Sequence, residues 1–114
     1  MSKKTADIIF FYTDWCPHST SAILKWDKFK SKFHGKIIED YTVTCGDKNC
    51  TDHMDPDVIS TIENHHIEYY PTVKLIKDDN DVEKGISIIE LGIKITEDSL
   101  TNFINTFLKE EYSM

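Results

Sequence analysis

The sequence predicts an α/β fold: one domain over residues 1–114, with a mixed four-stranded sheet flanked by helices in the order β-α-β-α-β-β-α. Three observations predict it. An unbroken apolar run at 7–13 is typical of a strand that is buried on both faces. The next segment changes to helical periodicity, and further apolar or alternating runs are again separated by helical patterns. A chain of 114 residues is long enough to bury one hydrophobic core.

The first helix is predicted by four apolar residues spaced at i, i+4, i+7 and i+11. These residues form one stripe: Ala22, Trp26, Phe29 and Phe33. Pro17 suits the first helical turn, because the N–H that it lacks would have no partner there. Gly35 follows the last apolar residue, where a left-handed residue commonly ends a helix. Cys16 is therefore expected at the N-terminal edge of this helix.

The remaining elements follow from the same two periodicities. In chain order they are a strand at 36–43, a helix at 55–66, strands at 71–77 and 86–93 joined by a hairpin connection at 78–85, and a terminal helix with Leu100, Phe103, Ile104, Phe107 and Leu108. Asp55 and Thr96 are the expected N-caps of the second and third helices. A polar loop after the second strand is expected to hold Cys45 and Cys50.

The composition argues against several classes of partner. The chain has 20 acidic and 13 basic side chains, and its net charge of −7 repels a phosphate backbone, so we expect no nucleic acid. No run approaches the roughly 20 apolar residues of a membrane span, and no segment resembles a signal peptide. We therefore expect a soluble cytoplasmic protein with no membrane partner. Frequent Ile, Lys, Asn and Asp are typical of AT-rich coding, which suggests a viral or protist source and, if viral, a place in the virion.

Cys16 has the expected position of a reactive thiol. A thiolate is the nucleophilic form of cysteine, and the free N–H groups at the start of a helix favour it. His18, two residues further along, adds positive charge or a hydrogen bond, so both effects are expected to lower the pKa of Cys16. We interpret Cys16, His18 and Ser19 as the catalytic residues, with Ser19 donating a hydrogen bond.

Three stretches carry a resemblance to a known family. They are IIFFYTDWCPHS at 8–19, IEYYPTVKLI at 67–76 and ELGIKITEDSLTNFI at 90–104. In these stretches the chain resembles the thioredoxin-like superfamily, and most closely the domains of protein disulfide isomerases. The resemblance implies a thioredoxin-like fold, a cis peptide bond before Pro71, and a client groove formed by Trp15, Pro17, Tyr70 and Pro71.

The sequence departs from that family at two positions. Ser19 stands where dithiol members have the second cysteine, which releases the client from the mixed disulfide, and a hydroxyl cannot do so. Phe10 stands where the family usually buries an acidic residue that accepts a proton from that second cysteine. Without the second thiol a buried carboxylate would only be costly to desolvate. The two departures are therefore consistent with each other.

These features predict thiol–disulfide exchange through a single cysteine, with client proteins that carry thiols or disulfides as partners. The alternative is a non-catalytic interaction or scaffold module that uses the same groove. Glutathione-linked chemistry like that of glutaredoxins is a weaker alternative, because Tyr70 rather than a small residue precedes Pro71 and DDND replaces the expected glycine pair. Either a monomer or a dimer linked through Cys16 is compatible with the sequence.

Cys45 and Cys50 leave three interpretations open. Similar pairs in some disulfide isomerase domains form a disulfide, although with wider spacing, and this resemblance makes a local disulfide the favoured expectation. Two independent reduced thiols come next, in a reducing compartment. A role in resolving the mixed disulfide on Cys16 comes last.

No metal or other cofactor is expected. Cys45, Cys50 and His53 lack the fourth ligand of a structural zinc site. The acidic segment DDNDVEKG at 78–85 departs from a calcium loop and is interpreted as a solvated hairpin. His65 and His66, at the end of the second helix, are interpreted as packing and capping residues.

Overall fold

The backbone forms five strands and three helices in this computed structural model, which describes residues 4–79 and 85–109. They are β1 (Lys4–Tyr12), α1 (Pro17–Phe33), β2 (Ile37–Ile38), β3 (Tyr41–Asn49), α2 (Pro56–His65), β4 (Thr72–Asp78), β5 (Ile86–Glu90) and α3 (Glu97–Leu108). The predicted hairpin connection at 78–85 lies mostly outside the described residues. No helix in the described parts is long and apolar enough to cross a membrane.

The strands form one mixed sheet in the order β2-β3-β1-β4-β5. β1 is parallel to β3 and antiparallel to β4, and β5 continues the sheet antiparallel to β4. The predicted α/β class and the central position of the first strand are confirmed. The prediction of four strands was short by one.

The extra strand arises where the sequence predicted one strand at 36–43. The chain makes a two-residue hairpin there, because Glu39 and Asp40 both have positive φ, at 49° and 73°. Positive φ at both central residues matches the twist of a tight hairpin, although Asn-Gly is the usual sequence for it. β2 thus pairs antiparallel with the start of β3. β3 then extends to Asn49, so Cys45 lies in a strand and not in the predicted polar loop.

The two faces of the sheet are packed differently. Alternate β1 residues point to opposite faces. One face packs against α1 and α3 in a large cluster that contains Ile8, Phe10, Trp26, Leu100 and Ile104, all fully buried. The other face packs against α2 in a small cluster, formed by Phe11, Cys50 and Ile67 with Ile9, Val58, Ile62 and Tyr70 around them. The main core therefore lies beneath α1, the helix that carries Cys16 at its start.

The helix ends follow the predicted caps. Cys16 is the N-cap residue of α1, followed by Pro17. The Asp55 carboxylate accepts a hydrogen bond from the N–H of Asp57 at the start of α2. Thr96 and Ser99 exchange hydrogen bonds at the start of α3.

The histidine pair at the end of α2 has the predicted packing and capping roles. His66 has φ of 55° and ends the helix in the left-handed conformation. The His65 ring lies 5.0 Å from that of Phe11. The C-terminal end of α2 is thereby fixed against β1.

Candidate active site

The site lies where the chain leaves the ends of two parallel strands. β1 and β3 run in parallel register, with Tyr12 opposite Asn49, so the segments that follow them emerge side by side. The N–H of Asp14 donates a hydrogen bond to the Thr51 hydroxyl at 2.7 Å. Loops at the carboxyl ends of parallel strands are the usual place for binding sites in α/β proteins. This junction fixes the turn that carries Cys16.

Cys16 starts α1 with extended backbone angles, φ −98° and ψ 116°. Its carbonyl accepts hydrogen bonds from the N–H groups of Ser19 and Thr20 at 3.0 and 3.2 Å. Its thiol is free and partly exposed. Pro17 occupies the first helical turn and donates no hydrogen bond there. The sulfur is thus accessible to solvent at the positive end of a helix of 17 residues.

The surroundings of Cys16 lower its pKa. The largest cause is the backbone N–H of Ser19, which is directed at the sulfur; partial burial opposes it, and the His18 N–H and the Ser19 hydroxyl add to the lowering. Hydrogen bonds to the charged form of a group favour that form. His18 therefore acts on the thiolate through its backbone, while its exposed side chain lines the neighbouring cavity.

Ser19 and Phe10 are the two residues at which the sequence departs from the family that it resembles. Ser19 is fully buried below Cys16, and its hydroxyl accepts a hydrogen bond from the N–H of Thr13 at 3.3 Å. Phe10 is fully buried in the core, stacked between Tyr12 and Trp26 with both centroid distances at 5.4 Å. An aromatic sandwich offers a charged carboxylate no compensating partner.

The segment around Pro71 lies against the sulfur. The peptide bond between Tyr70 and Pro71 is cis, as the resemblance implies. The Cys16 thiol donates a hydrogen bond to the Tyr70 carbonyl at 3.7 Å, across 54 positions of sequence. Trp15 is 58% exposed, and its ring meets that of Tyr70 edge-on at 6.0 Å. The structure thus brings Trp15, Cys16, Tyr70 and Pro71 together.

Two groups beside the site were not predicted. The His53 ring lies 5.8 Å from that of Trp15 and 6.3 Å from that of Tyr70. His53 follows β3, and the parallel pairing of β1 with β3 brings the segments after both strands side by side. A predicted parallel pairing of these strands could therefore have indicated that His53 lies beside the site. The other group lines a cavity of about 220 Å³ that His18 and Pro71 also line. This group consists of Lys25 of α1 and Lys94 of the segment before α3. No local sequence pattern indicates that these two segments lie next to each other.

The favoured Cys45–Cys50 disulfide is absent, and both thiols are free and buried. β3 is extended from Tyr41 to Asn49, and five residues of extended chain span roughly 16 Å. A disulfide requires Cα atoms within about 7 Å of each other. Cys45 moreover belongs to the large cluster and Cys50 to the small one on the opposite face. The structure therefore contradicts this expectation.

Burial controls the acidity of both buried thiols. It raises the pKa of Cys45 to about 12. Burial also raises the pKa of Cys50, although the hydroxyl of Tyr70 opposes the effect by hydrogen bonding to the sulfur. Tyr70 thus lies between two sulfurs, with its carbonyl on Cys16 and its hydroxyl on Cys50. Over residues 4–79 and 85–109, no three or more His, Cys, Asp or Glu side chains are grouped to hold a metal ion.

Comparison with known structures identifies the architecture. The Trx4 domain of ERdj5 superposes with a TM-score of 0.69 at 19% identity, covering 93% of this chain and 82% of that domain. The first two thioredoxin domains of Saccharomyces cerevisiae Eps1p superpose with a TM-score of 0.63 at 23% identity, covering 91% of this chain and 35% of that structure. The chain has the thioredoxin-like fold.

Sequence comparison gives a distant relative with the same kind of domain. The chain is 29% identical over 80 residues to the thioredoxin domain-containing protein R362 of Acanthamoeba polyphaga mimivirus. The alignment covers 68% of this chain and 21% of the viral protein, so it spans about a fifth of that protein's length. No protein family model matches the chain.

Proposed function

We propose that the protein carries out thiol–disulfide exchange through the single nucleophilic thiol of Cys16. The thiolate attacks one sulfur of a client disulfide, the client S–S bond breaks, and the other client half leaves as a thiolate that takes a proton from water. One half of the client stays bound to Cys16 as a mixed disulfide. The observation that carries the proposal is the position of the free, partly exposed Cys16 thiol at the start of α1, where backbone N–H groups lower its pKa.

The residues around the sulfur have separate roles in this proposal. Ser19 and His18 supply hydrogen bonds that favour the thiolate. Trp15 and Pro17 offer an apolar surface beside it, and both are exposed. The backbone of Tyr70, next to the cis bond, offers an acceptor to a client bound in extended conformation.

Release of the client requires a thiol from outside the protein. Ser19 holds the position from which a second cysteine would attack, and its hydroxyl is not redox-active. Cys45 and Cys50 have raised pKa values and almost no exposed surface, so neither supplies a thiolate in the folded state. The proposed activity therefore stops at a mixed disulfide until a small thiol or a second protein attacks it.

The proposal is tested with a peptide disulfide that carries a chromophoric thiol as leaving group. The wild-type protein should release one equivalent of chromophore and retain the peptide on Cys16, as intact mass and peptide mapping without reductant would show. Cys16→Ser should release none, whereas Cys50→Ala should behave as wild type. Peptide found on Cys45 or Cys50, or equal release from Cys16→Ser, would refute the proposal. The same mapping shows whether two copies are linked through Cys16.

Ser19→Cys tests whether the lack of a second thiol is the reason why the proposed reaction stops at the mixed disulfide. A second thiol one helical turn away acts at an effective concentration of the order of 1 mM, against about 10 µM for an added thiol. The mixed disulfide should therefore decay about 100-fold faster, and Cys16 should appear in an intramolecular disulfide with position 19. Unchanged decay would show that more than a sulfur is missing from this site.

A non-catalytic interaction module is the second candidate. It is favoured by three large apolar side chains that are exposed near the single thiol of Cys16: Trp15, Tyr69 and Ile93. Under this alternative Cys16→Ser keeps its protein partners and Trp15→Ala loses them. Under thiol exchange Cys16→Ser loses every partner that is released by reductant.

A further inference from the structure

We propose that the cavity beside Cys16 binds a carboxylate of the client, so that exchange favours client cysteines with an acidic residue close to them in sequence. This inference rests on the proposed function, because it concerns the same nucleophile. The cavity holds about 220 Å³, which is room for a single acidic side chain and not for a cofactor.

The cavity combines an apolar floor with three basic side chains. Ala22, Pro71, Ile93 and Ile95 supply apolar surface, and His18, Lys25 and Lys94 supply the nitrogen donors. These residues come from α1, from the segment with the cis bond, and from the segment between β5 and α3. A carboxylate with a short aliphatic stem is complementary to such a lining, since lysine donates hydrogen bonds and accepts none.

Three other lysines of the chain have a counter-ion, whereas the two cavity lysines have none among the described residues. Lys30, Lys32 and Lys74 pair with Asp47, Glu97 and Glu90, at 2.8, 3.2 and 3.8 Å. Within residues 4–79 and 85–109, Lys25 and Lys94 belong to no ion pair. In a protein with a net charge of −7, two unpaired cations at one cavity form a local reversal of charge. Such a reversal attracts an anionic ligand.

The position of the cavity connects it to the chemistry. His18 lies two residues after Cys16, and Pro71 directly follows the residue whose carbonyl accepts a hydrogen bond from the Cys16 thiol. A client with its sulfur at Cys16 and its backbone along Tyr70 therefore runs past the cavity mouth. Successive residues of an extended client advance by roughly 3.3 Å, so a residue within a few positions of its cysteine reaches the lining.

The experiment uses three peptides that differ at one position, two residues from a cysteine held in a disulfide with a chromophoric thiol. That position is Asp, Asn or Lys. In each reaction the Cys16 thiolate takes the peptide sulfur and the chromophore leaves as a thiolate. At low ionic strength the Asp peptide should react with wild type about three- to fivefold faster than the Asn peptide, the size expected of partly exposed charge pairs, and the Lys peptide should be slowest.

Variants of the lysines test whether the preference for the Asp peptide arises at this cavity. In the double variant Lys25→Gln and Lys94→Gln the ratio of Asp to Asn rates should fall to about 1. Lys109→Gln, which removes one charge beyond the opposite end of α3, should keep the wild-type ratio. A wild-type ratio of 1, or a ratio that the double variant keeps, would overturn the carboxylate site. Failure of all three peptides to react would instead refute the proposed function.

Glutathione also carries carboxylates, and a fourth reaction separates the two sources. Its mixed disulfide with the same chromophore should react more slowly than the Asp peptide. If it reacts faster, and loses that advantage in the double variant, the peptide side chain is not the preferred occupant and the inference of an acidic client is overturned.

Discussion

Cys16 and Cys45 are the same chemical group in opposite surroundings. Cys16 lies at the start of α1, partly exposed, with N–H groups directed at its sulfur, and its pKa is lowered. Cys45 lies in the middle of β3, 4% exposed within the main core, and burial raises its pKa to about 12. The backbone N–H groups of a strand are used by neighbouring strands, whereas at the start of α1 the N–H groups of His18 and Ser19 favour the Cys16 thiolate. The difference indicates that the position of a cysteine at the end of an element, and not its chemistry alone, decides whether the thiolate is favoured.

Cys50 is an intermediate case that refines the comparison. It directly follows β3, near the site, but it is only 1% exposed and lies under Tyr70. The hydroxyl of Tyr70 opposes the rise in pKa that burial causes, without reversing it. Proximity to the site is thus not sufficient for a lowered pKa, because the thiol must also be exposed and receive hydrogen bonds that favour the thiolate.

The largest expected effect is a difference in alkylation rate between Cys16 and Cys45. Burial raises the pKa of Cys45 to about 12, so at pH 7 its thiolate is at least about 1000-fold rarer than that of a free cysteine, whereas the surroundings of Cys16 favour its thiolate. The greater nucleophilicity of a more basic thiolate recovers roughly 15- to 30-fold of this. Cys16 should therefore react at least about 30-fold faster with iodoacetamide, as measured by peptide mass spectrometry. Equal labelling of Cys16 and Cys45 in the folded protein would contradict the expected difference between the two thiols.

The second effect concerns stability, where substitution of Cys45 should matter more than substitution of Cys16. Cys45→Ser places a hydroxyl in the apolar core and should lower the free energy of unfolding by about 2 kcal/mol. Cys16→Ser, at a partly exposed position, should change it by less than about 0.5 kcal/mol. Urea unfolding of both variants measures the difference. Equal losses would mean that Cys16 is a packing residue, contrary to its exposure.

The smallest effect concerns the Ser19 hydroxyl, the weakest of the contributions that lower the pKa of Cys16. Below that pKa the alkylation rate of Cys16 rises tenfold per pH unit, and above it the rate levels off. Ser19→Ala raises the pKa, so the profile moves to higher pH and the rate at pH 7 falls by about threefold. Thr20→Ala is the matched control, because that hydroxyl donates to the Pro17 carbonyl. A profile that moves to lower pH would contradict the assigned role.

Most of the fold could be predicted because its signals are local. The apolar run of β1, the stripe of α1 and the N-caps at Asp55 and Thr96 each depend on residues within one element. The hairpin at Glu39 and Asp40 was missed because neither residue is a usual turn former at positive φ. Without that turn the second strand was placed too early, and Cys45 was assigned to a loop.

The candidate site could be predicted from the sequence only where its residues lie close together in the chain or where the resemblance supplied them. Cys16, Ser19 and Trp15 lie in one stretch of six residues, and the resemblance added Pro71. The cavity lining was not predicted, because Lys25 and Lys94 lie 69 positions apart and meet only through the packing of α1 against the segment before α3. The separation of Cys45 from Cys50 likewise depends on the length of β3, which the sequence pattern understated.

The contact between the Cys16 sulfur and the Tyr70 carbonyl has a consequence for timing. While the sulfur holds its hydrogen, that hydrogen uses one of the two lone pairs of the carbonyl oxygen to which a client of the proposed exchange would donate. Ionisation removes this hydrogen, so that one step both forms the thiolate and frees that lone pair of the Tyr70 carbonyl. Under the proposed function, the loss of one proton therefore favours both the binding of the client backbone and the attack on its disulfide.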